Sequence, residues 1–424
     1  MNKRNFFYVR LQRFWKTLGP GLITGASDDD PSAITTFSQA GAKFGLASLF
    51  TAIFTFPILA ATQEMCARIG LVTNKGLAGV LKNYYPKWVL YAVIAITCPA
   101  FLLNIGADIA VLGAVGNLLF PSIATAYFSV GFTFLLLLIM LWLSYNKLEA
   151  VMKYVCLSLL VYTIVPFLSH QQFTDILKNT FIPSFSFDKD FLIILTSVFG
   201  AIISPYVFFW QTSTEVENHE KRNEYLTKNK NRFLFIRMRK DILYGAFFAV
   251  LIMYFIILTA GTVLHKNNIR EINTVKDAAM ALEPLGGNLS YLLFSIGVIG
   301  TGFIIIPVLS GSISYILSDA FKWKAGFNKK FYEAKHFYII ILIAMCIGLL
   351  MPLAGINPIK ALLFTTFLYG ITAPVLIGII LHISNNKKIM GAHTNGNVSN
   401  ILGGFALALM TGCIITLVYL AIKN

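Results

Sequence analysis

The chain has 424 residues, of which 57% are hydrophobic and only 12% charged, and it carries a formal charge of +15. Soluble domains hold about 25% charged residues, so this composition excludes a water-soluble globular class and puts most of the chain in lipid. The positive excess does not indicate nucleic acid, because the basic residues stand in short segments between apolar runs and not on one soluble face.

Apolar stretches of about 20 residues, the length a helix needs to cross a bilayer, recur along the whole chain. They predict eleven spans at 18–44, 46–67, 88–117, 123–144, 150–169, 191–214, 241–264, 289–319, 337–353, 361–382 and 401–422. No Pro/Ser-rich linker separates them, so residues 1–424 read as one all-α polytopic transmembrane domain.

The first span contains Gly25-Ala26-Ser27-Asp28-Asp29-Asp30-Pro31. Proline removes a backbone donor and clashes with the preceding turn, and glycine favours unwinding, so this helix is expected to break at mid-membrane. An ionised carboxylate costs at least about 2.5 kcal/mol at the centre of a spanning helix. Three in succession call for a cation or a water-filled cavity.

On the second span, Gln63, Glu64 and Arg68 are polar, and the i,i+4 spacing of Glu64 and Arg68 fits a structural ion pair. On the third, Asn104 and Asp108 fall mid-helix. Asp108 has no basic neighbour in the sequence, so a place on an ion path or as a proton acceptor stands beside a hydrogen-bonded structural role.

The sixth span repeats the interruption of the first, as Gly200-Ala201-Ile202-Ile203-Ser204-Pro205. Matching breaks five helices apart point to a midplane site between inverted repeats. The repeats would be 18–169 and 191–382, with 401–422 as an extra helix. On the tenth span, Thr365 and Thr366 are the buried polar pair.

Cys66, Cys98, Cys156, Cys346 and Cys413 lie singly in apolar segments, without metal or redox spacing, and read as packing residues. Most of the 34 Lys and Arg fall on one side, including Arg4, Arg10, Arg13, Lys16 and the 221–240 and 322–335 loops. That asymmetry predicts a cytoplasmic N-terminus, an outside C-terminus and a multi-pass place in the cell (inner) membrane. No cleavable signal is expected.

Hard divalent cations take oxygen ligands, which an unwound helix supplies as carboxylates and freed carbonyls, with waters completing the shell. Asp30, beside the first break, is the leading candidate ligand. The Ser204 hydroxyl and the Ala201 carbonyl follow from the second break, and Ser27 from the first. Asp28, Asp29 and Asp108 are placed on the vestibule or ion path. Pro31 and Pro205 mark the breaks. No cofactor pattern appears, and the expected partners are a divalent metal ion and the lipid bilayer.

Several of these stretches, taken together, resemble the Nramp family of divalent-metal transporters. They are Gly19-Pro20-Gly21 through Asp30-Pro31, Gln39-Ala40-Gly41, Ala67-Arg68-Ile69-Gly70-Leu71-Val72-Thr73 and Ala107-Asp108-Ile109-Ala110. The resemblance implies a LeuT-type inverted-repeat fold, divalent-cation import and a site between helices 1 and 6. It also exposes departures. The family's Asp-Pro-Gly-Asn reads Asp30-Pro31-Ser32-Ala33, so Ala33 replaces an asparagine ligand. The family's Met-Pro-His reads Ser204-Pro205-Tyr206, which removes a thioether that favours transition metals. Tyr206 and Gln211 stand at the family's histidines, Val111 at a helix-3 acid, and Thr366 near a glutamine ligand.

These losses resemble the Nramp-related magnesium transporter branch and imply Mg²⁺ and Mn²⁺ import with weak or no proton coupling. Proton-coupled Mn²⁺/Fe²⁺ uptake is the alternative. An organic-solute symporter on the same fold ranks lower, because the break is acidic where an anionic substrate would need bare half-helix N-termini. A hydrolase using Asp30 and Asp108 as a dyad leaves the paired breaks unexplained, so the chain is read as a transporter and not an enzyme.

Overall fold

Helix α1, Pro31–Phe44, begins where its sequence provides both a cap and a tolerated proline. Asp30 is extended (φ −72°, ψ 172°), its side chain accepts from the Ala33 backbone N–H, and Pro31 takes the first helical position, where a missing N–H costs nothing. The computed structural model describes residues 29–142, 157–168, 173–186, 188–222 and 231–423. Among these residues every regular element is helical.

After α1 come α2 (Phe50–Thr73), the short α3 (Leu77–Tyr84), α4 (Lys87–Leu119) and α5 (Thr125–Trp142). The second half holds α6 (Phe173–Phe181), α7 (Lys189–Ile202), α8 (Pro205–Arg222), α9 (Asn231–Val263), α10 (Gly287–Phe321), α11 (Lys335–Leu353), α12 (Pro358–Asn385) and α13 (Asn397–Lys423). Eight described helical segments are long and apolar enough to cross a membrane, with α7 and α8 counted as one, and 125–141 is a shorter apolar helix.

The bundle is sorted by polarity in the direction lipid demands. Phe54, Phe134, Leu350, Phe405 and Ile415 face outward, while Thr36, Asn104, Asp108, Thr365 and Thr366 are buried. A polar side chain in hydrocarbon lacks water, so these groups must find partners inside the protein. Helix α12 is where they meet: it packs on α1, α4 and α7, and α1 also packs along α9.

Two glycines set the closest approach. A Cβ on Gly200 of α7 would lie 2.1 Å from the Thr366 carbonyl oxygen, and one on Gly370 of α12 would lie 2.4 Å from the Thr196 carbonyl oxygen. Backbone therefore meets backbone where α7 crosses α12, as small residues allow in membranes.

Several expected boundaries move. Only the part of the first span from Asp29 onward is described, so Ser27 and Asp28 lie outside the described residues, as do 18–28 generally. The fifth span, 150–169, is described from residue 157 and there consists of a 3₁₀ stretch, Leu157–Thr163, followed by one helical turn, Val165–Leu168. It is not one continuous helix. Helix α9 is described from Asn231 and α8 runs to Arg222, so the described parts of the expected 221–240 loop are helical, and α9 carries Arg232, Arg237, Arg239 and Lys240 on its first turns. Between α9 and α10 a short helix, Val275–Ala279, is started by a reciprocal Thr274/Asp277 capping box.

The spacing of Glu64 and Arg68 does produce an ion pair. Arg68 holds both Glu64 oxygens and reaches the Thr394 carbonyl and Asn395 Oδ1 at 3.2 Å each. Arg239 of α9 adds its Nε to Glu64 Oε1 at 3.1 Å, so the Glu64–Arg68 pair joins α2, α9 and the segment entering α13.

Candidate functional site

The helix starts at the two expected breaks have the same local form. In each, a proline opens a helix and a polar residue precedes it: Asp30-Pro31 at α1 and Ser204-Pro205 at α8. Between α7 and α8 the chain leaves the helix only at Ile203 and Ser204, and Ile203 N–H still closes on the Phe199 carbonyl at 2.9 Å. The Ser204 hydroxyl shares its proton between the Ala201 carbonyl at 2.6 Å and the Gly200 carbonyl at 3.1 Å. The serine thus satisfies the carbonyls that the break frees, so the candidate ligands Ser204 and Ala201 are bonded to each other in this conformation.

Asp30 is almost wholly buried. Its Oδ1 accepts from Ser32 Oγ at 2.5 Å and from Ala33 N–H at 2.6 Å, leaving Oδ2 as the oxygen turned to the interior. There Asn104 Nδ2 lies 3.5 Å from Asp30 Oδ2 and 3.1 Å from Asp108 Oδ2. One amide therefore stands between two buried carboxylates. Its orientation follows from the other end, where Thr365 Oγ lies 2.7 Å from Asn104 Oδ1 while also 2.8 Å from the Leu362 carbonyl.

The neighbouring threonine serves a different helix. Thr366 Oγ meets Thr36 Oγ at 2.9 Å, and Thr36 donates to the Ser32 carbonyl at 2.8 Å. Adjacent residues on an α-helix point about 100° apart, so Thr365 reaches α4 and Thr366 reaches α1. The pair binds both walls of the site from one turn of α12.

Neither Asp30 nor Asp108 has a basic partner among the described residues. Asp108 is fully buried and its Oδ1 has no hydrogen-bond partner there. The Tyr369 hydroxyl, one turn beyond Thr365, is also buried with no partner among the described residues. Tyr206, Phe101 and Tyr369 pack as an aromatic group, with ring centroids 5.9–6.2 Å apart. Buried anions without countercharge are costly, and an unpaired carboxylate oxygen beside a second carboxylate is an arrangement that a cation would complete.

The expected site residues are thus partly gathered. Asp30, Asp108 and the Thr365/Thr366 turn come together. Asp29 is fully buried. Pro31 and Pro205 start helices. Ala33, Val111, Tyr206 and Gln211 are all buried, and Ala33 contributes only its backbone N–H to Asp30.

Sequence reasoning missed the bridging role of Asn104 and passed over Ser32, Thr36, Phe101 and Tyr369. The available signals were spacings: Ser32 and Thr36 are one turn apart on α1, as Asn104 and Asp108 are on α4 and Thr365 and Tyr369 on α12.

Residues 21–420 match the protein family described as natural resistance-associated macrophage protein-like. The divalent metal cation transporter MntH of Caldanaerobacter subterraneus subsp. tengcongensis is 24% identical over 427 residues, covering 100% of this chain and 97% of its own. The MntH of Yersinia pestis is 22% identical over 412 residues, covering 93% and 92%. Among solved structures, the Eremococcus coleocola manganese transporter superposes with a TM-score of 0.76 at 17% identity, covering 94% of this chain and 86% of that one. MhsT in complex with L-phenylalanine gives 0.63 at 11%, covering 94% and 98%. These likenesses establish a LeuT-type fold.

Proposed function

The chain belongs to the Nramp family, and from that premise we propose that it carries divalent metal cations, Mg²⁺ and Mn²⁺, across the cell membrane with weak or no proton coupling. The relatives named as divalent metal cation transporters support the cargo class. The observation that carries the reading is the Asp30–Asn104–Asp108 arrangement: two buried carboxylates joined by one amide, with no basic partner among the described residues.

The donor chemistry supports the choice of ion. Mg²⁺ binds through one or two carboxylates and keeps several waters, and Asp30 with Asp108 offers two carboxylates flanked by threonine hydroxyls. No sulfur donor stands in the second break, where Ser204 occupies the position before Pro205, so soft-metal preference has no ligand to rest on there. Asp30 Oδ2 is the first contact in this reading, because Oδ1 is held by the cap of α1. Release then requires Asn104 to reclaim the carboxylates.

Weak proton coupling rests on the same residues. Tyr206, Gln211 and Val111 are not groups that exchange protons near neutral pH, which leaves Asp108 as the one acid of such a relay. Orientation follows the basic asymmetry, with the N-terminus cytoplasmic, and the two inverted halves would rock about this site.

The test is flux in proteoliposomes, with internal dyes for Mg²⁺ and Mn²⁺ and a pH dye in parallel. Both metals should enter, Asp30→Ala should abolish entry while leaving folded protein, and the pH trace should stay flat. Absence of flux for both metals refutes transport. A metal-dependent proton signal refutes the uncoupled mechanism and implicates Asp108.

A further inference from the structure

Away from the central site, a cavity of about 580 Å³ opens between α2, α9 and the start of α13. Its wall is mostly apolar: Phe56, Pro57, Ala60, Ile242, Leu243 and Leu402 line it. At one end the wall becomes charged, with Glu64 and Arg239. The first turn of α13, including Asn397, Val398 and Ser399, closes the same region and adds the partial positive charge of a helix start.

The charged end is not neutral. Glu64 is bonded by Arg68 and by Arg239 Nε, so the trio carries two positive charges against one negative. Arg68 is committed to Glu64, Thr394 and Asn395. Arg239 differs: its side chain is 57% exposed, and its two terminal guanidinium nitrogens make no hydrogen bond among the described residues. A guanidinium whose two terminal nitrogens are free offers one bidentate N–H edge, which matches phosphate geometry. Exposed Arg232 and Lys240 flank it, and the nearest other acid on that turn, Asp241, is buried.

Position within the bilayer follows from the sequence of α9. Basic residues end at Lys240, and the apolar run begins at Ile242, so Arg239 stands where the helix enters the hydrocarbon. The rim of the cavity is apolar and open, with Leu243 47% and Val398 70% exposed. A ligand fitting these surfaces has an anionic phosphate at one end and hydrocarbon at the other.

We propose that this cavity binds one anionic phospholipid, its headgroup phosphate on Arg239 and an acyl chain along Phe56, Ile242, Leu243 and Leu402. Basic pockets between membrane helices recognise anionic headgroups in this way. Because the lipid touches α2, α9 and α13 together, it adds a non-covalent tie beside the Glu64 network. The proposal is independent of which ion the central site carries.

The test uses the purified full chain, titrated in mixed micelles with phosphatidylglycerol or with phosphatidylcholine of the same acyl chains, and retained lipid read by native mass spectrometry. Wild type should retain phosphatidylglycerol in preference. Arg239→Gln should lower that preference about fivefold, the worth of one basic side chain at a membrane surface. Val398→Glu, at a lining position that is 70% exposed, should lower it in the same sense by placing a carboxylate beside the phosphate. Phosphatidylcholine binding should change little in either variant. Equal retention of the two lipids by wild type overturns the proposal, as does an unchanged preference in both variants. Displacement of the lipid by millimolar inorganic phosphate also overturns it, since the site would then read the anion alone.

Discussion

Replacing Asn104 by leucine, close to it in shape, removes the amide between the two carboxylates and little else. The bond to Asp108 at 3.1 Å is charge-assisted and worth about 1.5–3 kcal/mol. The contact to Asp30 at 3.5 Å stands at the limit of a hydrogen bond and adds little. Thr365 keeps its bond to the Leu362 carbonyl at 2.8 Å, so its hydroxyl is not orphaned. The empty protein therefore loses about 2 kcal/mol at the site. A bound divalent cation neutralises the same carboxylates and recovers that loss, so by linkage the variant should bind its cation more tightly, by up to about thirtyfold. In proteoliposomes the expected result is a lower KM together with a lower maximal rate, because the amide that reclaims the carboxylates on release is gone. Thermal stabilisation by Mg²⁺ or Mn²⁺ should grow in parallel. A raised KM at unchanged maximal rate would refute this account and make Asn104 a direct ligand instead.

Gly200→Ala puts a methyl group 2.1 Å from the Thr366 carbonyl oxygen, so α7 and α12 must part. Overpacking of this kind costs about 1–3 kcal/mol, and a melting temperature and flux equal to wild type would show that the helices do not cross there. Ser204→Met supplies a soft donor and removes the hydroxyl that caps Ala201 and Gly200, so Cd²⁺ transport should rise relative to Mg²⁺ in competition assays; an unchanged ratio would remove the second break from the ion path. Arg68→Met leaves Glu64 with Arg239 as its one remaining cation, so the loss should be about 1.5–3 kcal/mol, that of a hydrogen bond to a charged group, seen as a lower folded yield by size-exclusion chromatography. Double replacement with Glu64→Gln should restore much of that yield.

Most of the described spans, and the second break, were legible in the sequence because lipid imposes one requirement on every spanning segment: an apolar helix long enough to cross. Pro31 and Pro205 stand out against that background, and Asp30, expensive in hydrocarbon, marks itself. The bounds of α9 were less legible, because Arg232 to Lys240 read as loop by charge although a helix can carry charge once it leaves the membrane.

The site itself depended on tertiary structure. Sequence alone determined that Asp30, Asp108, Thr365 and Thr366 are polar residues with nowhere to go in lipid. It could not determine that Thr365 orients Asn104 while Thr366 reaches Thr36, since that division arises from where α4 and α1 pass α12. Nor could it show that Ser204 and Ala201 satisfy each other. Hydrogen bonds between distant segments depend on the crossing of helices, and the crossing is set by close contacts such as Gly200 on Thr366, which leave no trace in local pattern.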